Sequence, residues 1–254
     1  MINIILRGCN GKMGQVISDI VKNDAQSQIV AGVDLTPKED RANSYPVYEH
    51  LAECRERADV VIDFSSPKGL TELLNFCREK KLPIVLCTTG FSNEQLAEIE
   101  ESAKEIAILR SANMSLGINT LAKLAEAAAK IFAEAGFDIE IVERHHNRKV
   151  DAPSGTALLL ADRINTALSG EYHYTYDRSG RRQARDHKEI GISAVRGGTI
   201  VGEHEIIFAG RDEVIELKHT AYSREVFGTG AVQAAKFLAG KKAGIYDMQG
   251  MVGA

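Results

Sequence analysis

Two imidazoles, a lysine and a helix-starting Pro-Ser-Gly-Thr fall within one segment, Glu143 to Ala157 (ERHHNRKVDAPSGTA). Core packing does not ask for such a concentration of polar groups. An imidazole titrates near neutrality and can deliver a proton. His145 and His146 are the candidates, and Lys149 can supply a positive charge or a second proton. Ser154, Gly155 and Thr156 can offer hydroxyls and backbone N–H groups to an anion. These types at this spacing support acid catalysis on a small anionic substrate. The residues alone leave open a second reading, in which both histidines are hydrogen-bonded structural imidazoles.

A second constellation sits at the N-terminus. Gly8-Cys9-Asn10-Gly11-Lys12-Met13-Gly14 follows the apolar run Ile2 to Leu6 and precedes a helical stretch, Gln15 to Val21. Strand, glycine turn and helix form the unit that binds a dinucleotide: the glycines let the backbone approach a pyrophosphate, whose charge meets the helix start. The spacing is G-x-x-G-x-x-G, so the strict G-x-G-x-x-G fingerprint is broken. A second strand, Ile29 to Val33, ends on Asp34, about twenty residues after the last glycine, where the fingerprint places the acid that binds the adenosine ribose.

Both constellations need elements to position them. To about residue 112, apolar strands alternate with helical segments: Asp59 to Phe64, Leu70 to Glu79, Pro83 to Cys87, Asn93 to Lys104 and Ile106 to Leu109. That order predicts a Rossmann-type, doubly wound parallel sheet. Ligands of such sheets lie beyond the carboxyl ends of the strands, where Ser65-Ser66-Pro67, Thr88-Thr89-Gly90 and Ala112-Asn113-Met114-Ser115 fall. After a long helix, Gly117 to Ala135, the pattern becomes strand-like over Asp138 to Glu143, Ile190 to Arg196, His204 to Ala209 and Val214 to Tyr222. It predicts a smaller α+β domain around an open mixed sheet. Ser169 to Lys188 has no periodicity and reads as a mobile surface excursion, with Arg178, Arg181, Arg182 and Arg185 solvated. The last helix, Arg224 to Ala239, is expected to return to the first domain. The boundaries drawn are 1–114 with 225–254 for the dinucleotide domain, and 115–224 for a substrate-binding domain. Because the two constellations fall in different domains, closure is expected to bring hydride and substrate together.

Bulk properties narrow the classes. Of 254 residues, 44% are hydrophobic, enough for ordinary cores, and 31 basic against 35 acidic residues argue against a general nucleic-acid binder. The apolar start of the chain is too short for a signal h-region, and no run approaches a membrane span, so a cytoplasmic protein is expected. Cys9, Cys54, Cys77 and Cys87 include no C-x-x-C pair and read as reduced thiols, and no cluster has zinc-ligand spacing.

The residues resemble one family over essentially the whole chain: bacterial dihydrodipicolinate reductase, the DapB or 4-hydroxy-tetrahydrodipicolinate reductase family. Glu143 to Ala157 matches its signature E-x-H-H-x-x-K-x-D-A-P-S-G-T-A without a mismatch. Gly8 to Gly14, Asp63-Phe64-Ser65, Thr88 to Phe91, Ala112 to Gly117, Arg196-Gly197-Gly198, Gly202-Glu203-His204 and Gly244 to Met248 follow in the family's order. The resemblance implies that His145 is the proton donor and Lys149 a second proton donor or charge stabiliser. It further implies that His146, Gly155 and Thr156 bind the substrate ring, that Ser154 and Lys149 meet a carboxylate, and that the molecule is a homotetramer. The activity implied is NAD(P)H-dependent reduction of a cyclic hydroxy-imine dicarboxylate, with loss of water, in lysine and diaminopimelate synthesis. The cofactor is expected to contact Gly8, Cys9, Asn10, Gly11, Lys12, Met13, Asp34, Cys87, Thr88, Thr89, Ser111, Ala112, Asn113 and Met114.

One departure bears on the cofactor. Many relatives follow the strand-end acid with an arginine, whereas this chain has Asp34-Leu35-Thr36-Pro37, with Lys38 the nearest cation in sequence. Asp34 should bind ribose hydroxyls and repel a 2′-phosphate, so NADH is expected ahead of NADPH. Arg224 reads equally as a hinge or a substrate contact. Two other readings stand beside the reductase: another nicotinamide dehydrogenase of this fold, and a non-catalytic dinucleotide sensor. The His-His-x-x-Lys cluster counts against the sensor, which needs no proton donor.

Overall fold

A computed structural model describes residues 1–35 and 43–253. In chain order the elements are β1 (Ile2–Arg7), α1 (Lys12–Lys22), β2 (Ser27–Val33), β3 (Val47–Tyr48), β4 (Val60–Asp63), α2 (Leu70–Lys80), β5 (Ile84–Leu86), α3 (Asn93–Ser102), β6 (Ala107–Arg110) and α4 (Leu116–Glu134). Next come β7 (Asp138–His145), α5 (Gly155–Ala167), β8 (His173–Thr175), β9 (Glu189–Arg196), β10 (Gly202–Ala209), β11 (Val214–Ala221), α6 (Glu225–Leu238), β12 (Gly244–Tyr246) and α7 (Met248–Val252). They form two units, Met1–Leu116 with Arg224–Ala254, and Gly117–Ser223.

The first unit is a seven-stranded sheet in the order β12-β6-β5-β4-β1-β2-β3, parallel throughout. Its central strands are continuous apolar runs, with Ile4, Ile5, Leu6, Val60, Val61 and Ile62 all buried, because both faces are covered. The chain leaves β1 toward β2 and β3, then returns to β4 on the other side. The carboxyl ends of β1 and β4 therefore flank the topological switch point, where open α/β sheets bind ligands. Helix α6 belongs to this unit and packs on α1, with Gly228 lying against Val16, Ile17 and Ile20.

The second unit is a mixed sheet, β11-β10-β7-β9-β8, with β7, β8 and β9 parallel and β10 antiparallel to β7 and β11. Its core joins α4 and α5 to the sheet through Ile139, Ile141, Ile190, Ile206 and Phe208. Strand β7 alternates strictly, so Ile139, Ile141, Glu143 and His145 all point inward. The inner face changes from aliphatic to ionisable at its C-terminal end, and that change creates the site.

The segment 169–188 departs from the sequence expectation of a mobile excursion with solvated arginines. It contains β8, which pairs with β9. Arg178 binds Glu140 and Glu189, and Arg185 binds Asp138 and donates to the carbonyls of Ile139 and Glu189. Glu189 is fully buried, so this ionic contact neutralises a carboxylate that burial would otherwise penalise heavily. The partners Asp138 and Glu140 lie far along the chain, whereas Glu189 is 11 residues from Arg178.

Among the described residues no helix is long and apolar enough to cross a membrane, and no group of three or more His, Cys, Asp or Glu is placed to hold a metal ion.

Candidate active site

Glu143 organises the second unit's polar cluster. Its fully buried carboxylate accepts from His145 Nδ1 at 2.6 Å, from the Ser154 backbone N–H at 2.9 Å, and from Arg196 Nη1 and Nη2, each at 2.7 Å. Register explains the grouping: Glu143 is opposite His204 on β10, and His145 is opposite Arg196 on β9. Burial opposes ionisation of Glu143, but the bonds from Arg196, His145 and Ser154 hold it below the ordinary carboxylate range.

Burial lowers the His145 pKa from its usual value; Glu143 opposes this, while Lys149 and Arg196 add to it. His204 packs edge-on against His145 with ring centroids 5.1 Å apart, and burial followed by the His145 charge pushes it down to about 3. Its Nε2 meets Ser154 Oγ at 3.0 Å, and that oxygen also accepts the Ala157 N–H as the N-cap of α5. The Ser154 hydroxyl is thus buried and engaged with the helix start. Gly155 is exposed and Thr156 half-buried at the first positions of α5. Lys149 pairs with Asp151 at 2.8 Å, an ion pair that lowers the Asp151 pKa. The backbone carbonyl of Asp151 in turn accepts from Arg196 at 2.6 Å. Among the described residues, His146 Nδ1 is buried without a hydrogen-bond partner.

The first unit builds its site mostly from backbone. Gly8 has φ +81°, a conformation that side chains resist. A Cβ on Gly14 would lie 2.2 Å from the Gly8 carbonyl oxygen, so only glycine lets α1 approach the turn. Helix α1 begins after Gly11 with no side-chain cap, leaving its first N–H groups to an outside acceptor. Asp34 Oδ2 accepts the Asn10 N–H at 2.9 Å, which ties the strand-end acid to the turn. Beside them a cleft of about 480 Å³ is lined by Gly8, Gly11, Asp34, Leu35, Phe64 and Ser65, among others. An uncapped helix start, a glycine cradle and a strand-end carboxylate together fit a dinucleotide.

The remaining expected cofactor contacts divide by exposure. Thr89 and Ala112 are exposed, and Lys12 is exposed at the start of α1 with Met13 half-buried beside it. Ser111 is half-buried, while Asn113 and Met114 are buried in the turn after β6. Thr88 donates from Oγ1 to buried Asp63 at 2.7 Å, so it fastens its loop to the end of β4. Cys9 and Cys87 are buried; burial raises Cys9 to about 12 and Cys87 well above its usual value, so both pack as neutral thiols.

Sequence reasoning gave no role to Glu143, Arg196 or Asp63, nor did it place Arg7 and Lys68 in the cleft. Arg7 is held by Asp63 and Ser65, at 3.1 and 2.6 Å. For Glu143 a signal existed: it lies two residues before His145 on an alternating strand and so shares its face. Lys38 lies outside the described residues.

Comparison with known proteins follows the same division. Residues 2–114 match the family described as "Dihydrodipicolinate reductase, N-terminus", and residues 117–252 match "Dihydrodipicolinate reductase, C-terminus". A protein of Caldanaerobacter subterraneus named 4-hydroxy-tetrahydrodipicolinate reductase is 54% identical over 99% of this chain and 98% of its own length. One of the same name from Clostridium tetani is 51% identical over 99% of this chain and 97% of its own. A dipicolinate-bound dihydrodipicolinate reductase from Paenisporosarcina superposes with TM-score 0.83 at 27% identity, covering 98% of both chains. An amine dehydrogenase of Mycobacterium smegmatis, at TM-score 0.65 and 14% identity, shares the fold over 98% of this chain and 95% of its own.

Proposed function

The chain belongs to the dihydrodipicolinate reductase family, and from that premise we propose which of its groups perform the reaction. It is an oxidoreductase of lysine and diaminopimelate biosynthesis, a 4-hydroxy-tetrahydrodipicolinate reductase. The reaction takes the cyclic hydroxy-imine to tetrahydrodipicolinate with loss of water. When bound, the nicotinamide cofactor supplies the hydride.

His145 donates the proton that hydride addition calls for, and Lys149 offsets substrate charge or gives a second proton. His146 holds the substrate ring. Gly155 and Thr156, at the start of α5, bind the substrate ring, and Ser154 contributes by capping that helix. The observation that carries this reading is that a single buried carboxylate, Glu143, binds both the His145 ring and the N–H of Ser154. The proton donor and the anion-binding helix start are thereby fixed to the same anchor.

In the first unit, the glycine turn and the loops ending in Thr88, Thr89, Asn113 and Met114 hold the cofactor. NADH is the preferred form and NADPH the weaker one, because Asp34 stands where a 2′-phosphate would approach. Arg7 lines the same cleft, but its charge is engaged by Asp63 and Ser65. We assign the molecule to the cytoplasm as a homotetramer acting on a small dicarboxylate, without nucleic-acid or membrane partners. Oxidation of NADH in a coupled assay with the product of the preceding aldol step tests the reading. Turnover supports it, whereas binding of NADH with no turnover overturns it in favour of a dinucleotide sensor.

A further inference from the structure

The assignment of His145 as acid leaves a question that geometry can answer: which ring nitrogen carries the proton that moves. Nδ1 lies 2.6 Å from Glu143 Oε2. That carboxylate also receives two guanidinium N–H groups and a backbone N–H, so it is surrounded by donors and ionised. An ionised carboxylate can only accept. Nδ1 therefore donates to Glu143 whether the ring is neutral or charged, and Nε2 is the nitrogen that gains and loses a proton. A Cβ on Gly202 would lie 3.1 Å from Nε2, so a side chain at that position would crowd the nitrogen.

We propose that Glu143, locked by the two-pronged Arg196, is a positioning residue that fixes His145 in its Nδ1–H form and aims Nε2 at the substrate. The proposal rests on His145 being the acid. In the proton transfer the Nε2–H bond of the imidazolium breaks and the proton passes to the substrate. A neutral ring remains, its Nδ1–H still bonded to Glu143. Arg196 prevents the carboxylate from rotating or taking the proton itself. The charged and titratable groups facing His145 are Glu143 on its own strand, Arg196 on β9, His204 on β10 and Lys149 on the following loop. His204 remains neutral at catalytic pH, so it neither repels the imidazolium nor competes for its proton.

Glu143→Gln tests the proposal, since an amide has only one oxygen to offer the four surrounding donors, and its NH₂ must face one of them. The expected result is a fall in kcat of roughly 10–10², part of the roughly 10²–10⁴ that a general acid contributes, with smaller changes in both KM values. The active form is the imidazolium, so activity falls as pH rises through the His145 pKa. Removing the negative neighbour leaves Arg196 and Lys149 uncompensated, and that alkaline limb must move to lower pH. A stable variant with the wild-type limb and kcat would overturn the proposal. Should the variant fail to fold, ¹⁵N NMR of imidazole-labelled wild-type protein decides, with the His145 signal identified by its loss in His145→Gln. The Nδ1–H tautomer is expected, and the Nε2–H tautomer would overturn the assignment. Full turnover in His145→Gln would instead refute the acid assignment and leave the tautomer result standing.

Discussion

The two units build their sites from opposite materials. The first uses backbone: a glycine turn too close-packed for side chains, an uncapped helix start and one strand-end carboxylate. The second uses side chains, a buried carboxylate, a half-buried guanidinium and two buried imidazoles, each holding another in place. A backbone site recognises what every nicotinamide cofactor shares, and its glycine turn and helix start contain no group that titrates. A side-chain site can move a proton, at the cost of keeping ionisable groups out of water. The difference predicts that substitutions and pH will act unequally on the two.

The largest effect should come from the proposed proton donor. His145→Gln should lower kcat by roughly 10²–10⁴, the range for losing a general acid, and steady-state kinetics will measure it. Next is pH. His204 titrates near 6.5 when unfolded and at about 3 when folded, so below pH 6.5 the unfolded chain binds a proton that the native chain does not. Stability should fall as pH drops from about 6.5 toward about 3, and the slope of urea midpoints against pH should be shallower in His204→Asn. In the first unit the corresponding lesion is steric. Gly14→Val drives a side chain into the Gly8 carbonyl, and overpacking of this kind costs about 1–3 kcal/mol. Thermal unfolding should show that loss, together with weaker NADH binding by titration. The smallest effect concerns selectivity: Asp34→Ala with Leu35→Arg should shift the NADH to NADPH ratio of kcat/KM toward NADPH by about fivefold, matching the ~1 kcal/mol of an exposed ion pair. Wild-type kinetics that favour NADPH would show that a cation such as Arg7 or Lys68 reaches the phosphate.

Legibility in the sequence followed the same contrast. The glycine turn, the alternation of strand and helix, and Asp34 are local patterns, readable because the backbone rules that produce them act over a few residues. The Glu143 to Ala157 segment was conspicuous for its composition, yet the link from Glu143 to Arg196 spans 53 positions and forms only once β9 lies beside β7. Arg178 and Arg185 misled for a related reason, since Glu140 and Asp138 sit on a strand far away in sequence, whereas Glu189 lies only 11 residues from Arg178. The strands β3, β8 and β12 are two or three residues long, too short for an alternating pattern to show. Burial of Ser154 under His204 likewise depends on the pairing of β10 with β7.

The division of labour between the units is tested most directly on one double variant, His145→Gln with Lys149→Met, by measuring NADH affinity at equilibrium and turnover in the same preparation. The account predicts cofactor affinity within about twofold of wild type, below the tenfold that 1.4 kcal/mol represents, while turnover is lost. A parallel fall in NADH affinity would contradict it, because the side chains of the second unit would then be part of the cofactor site.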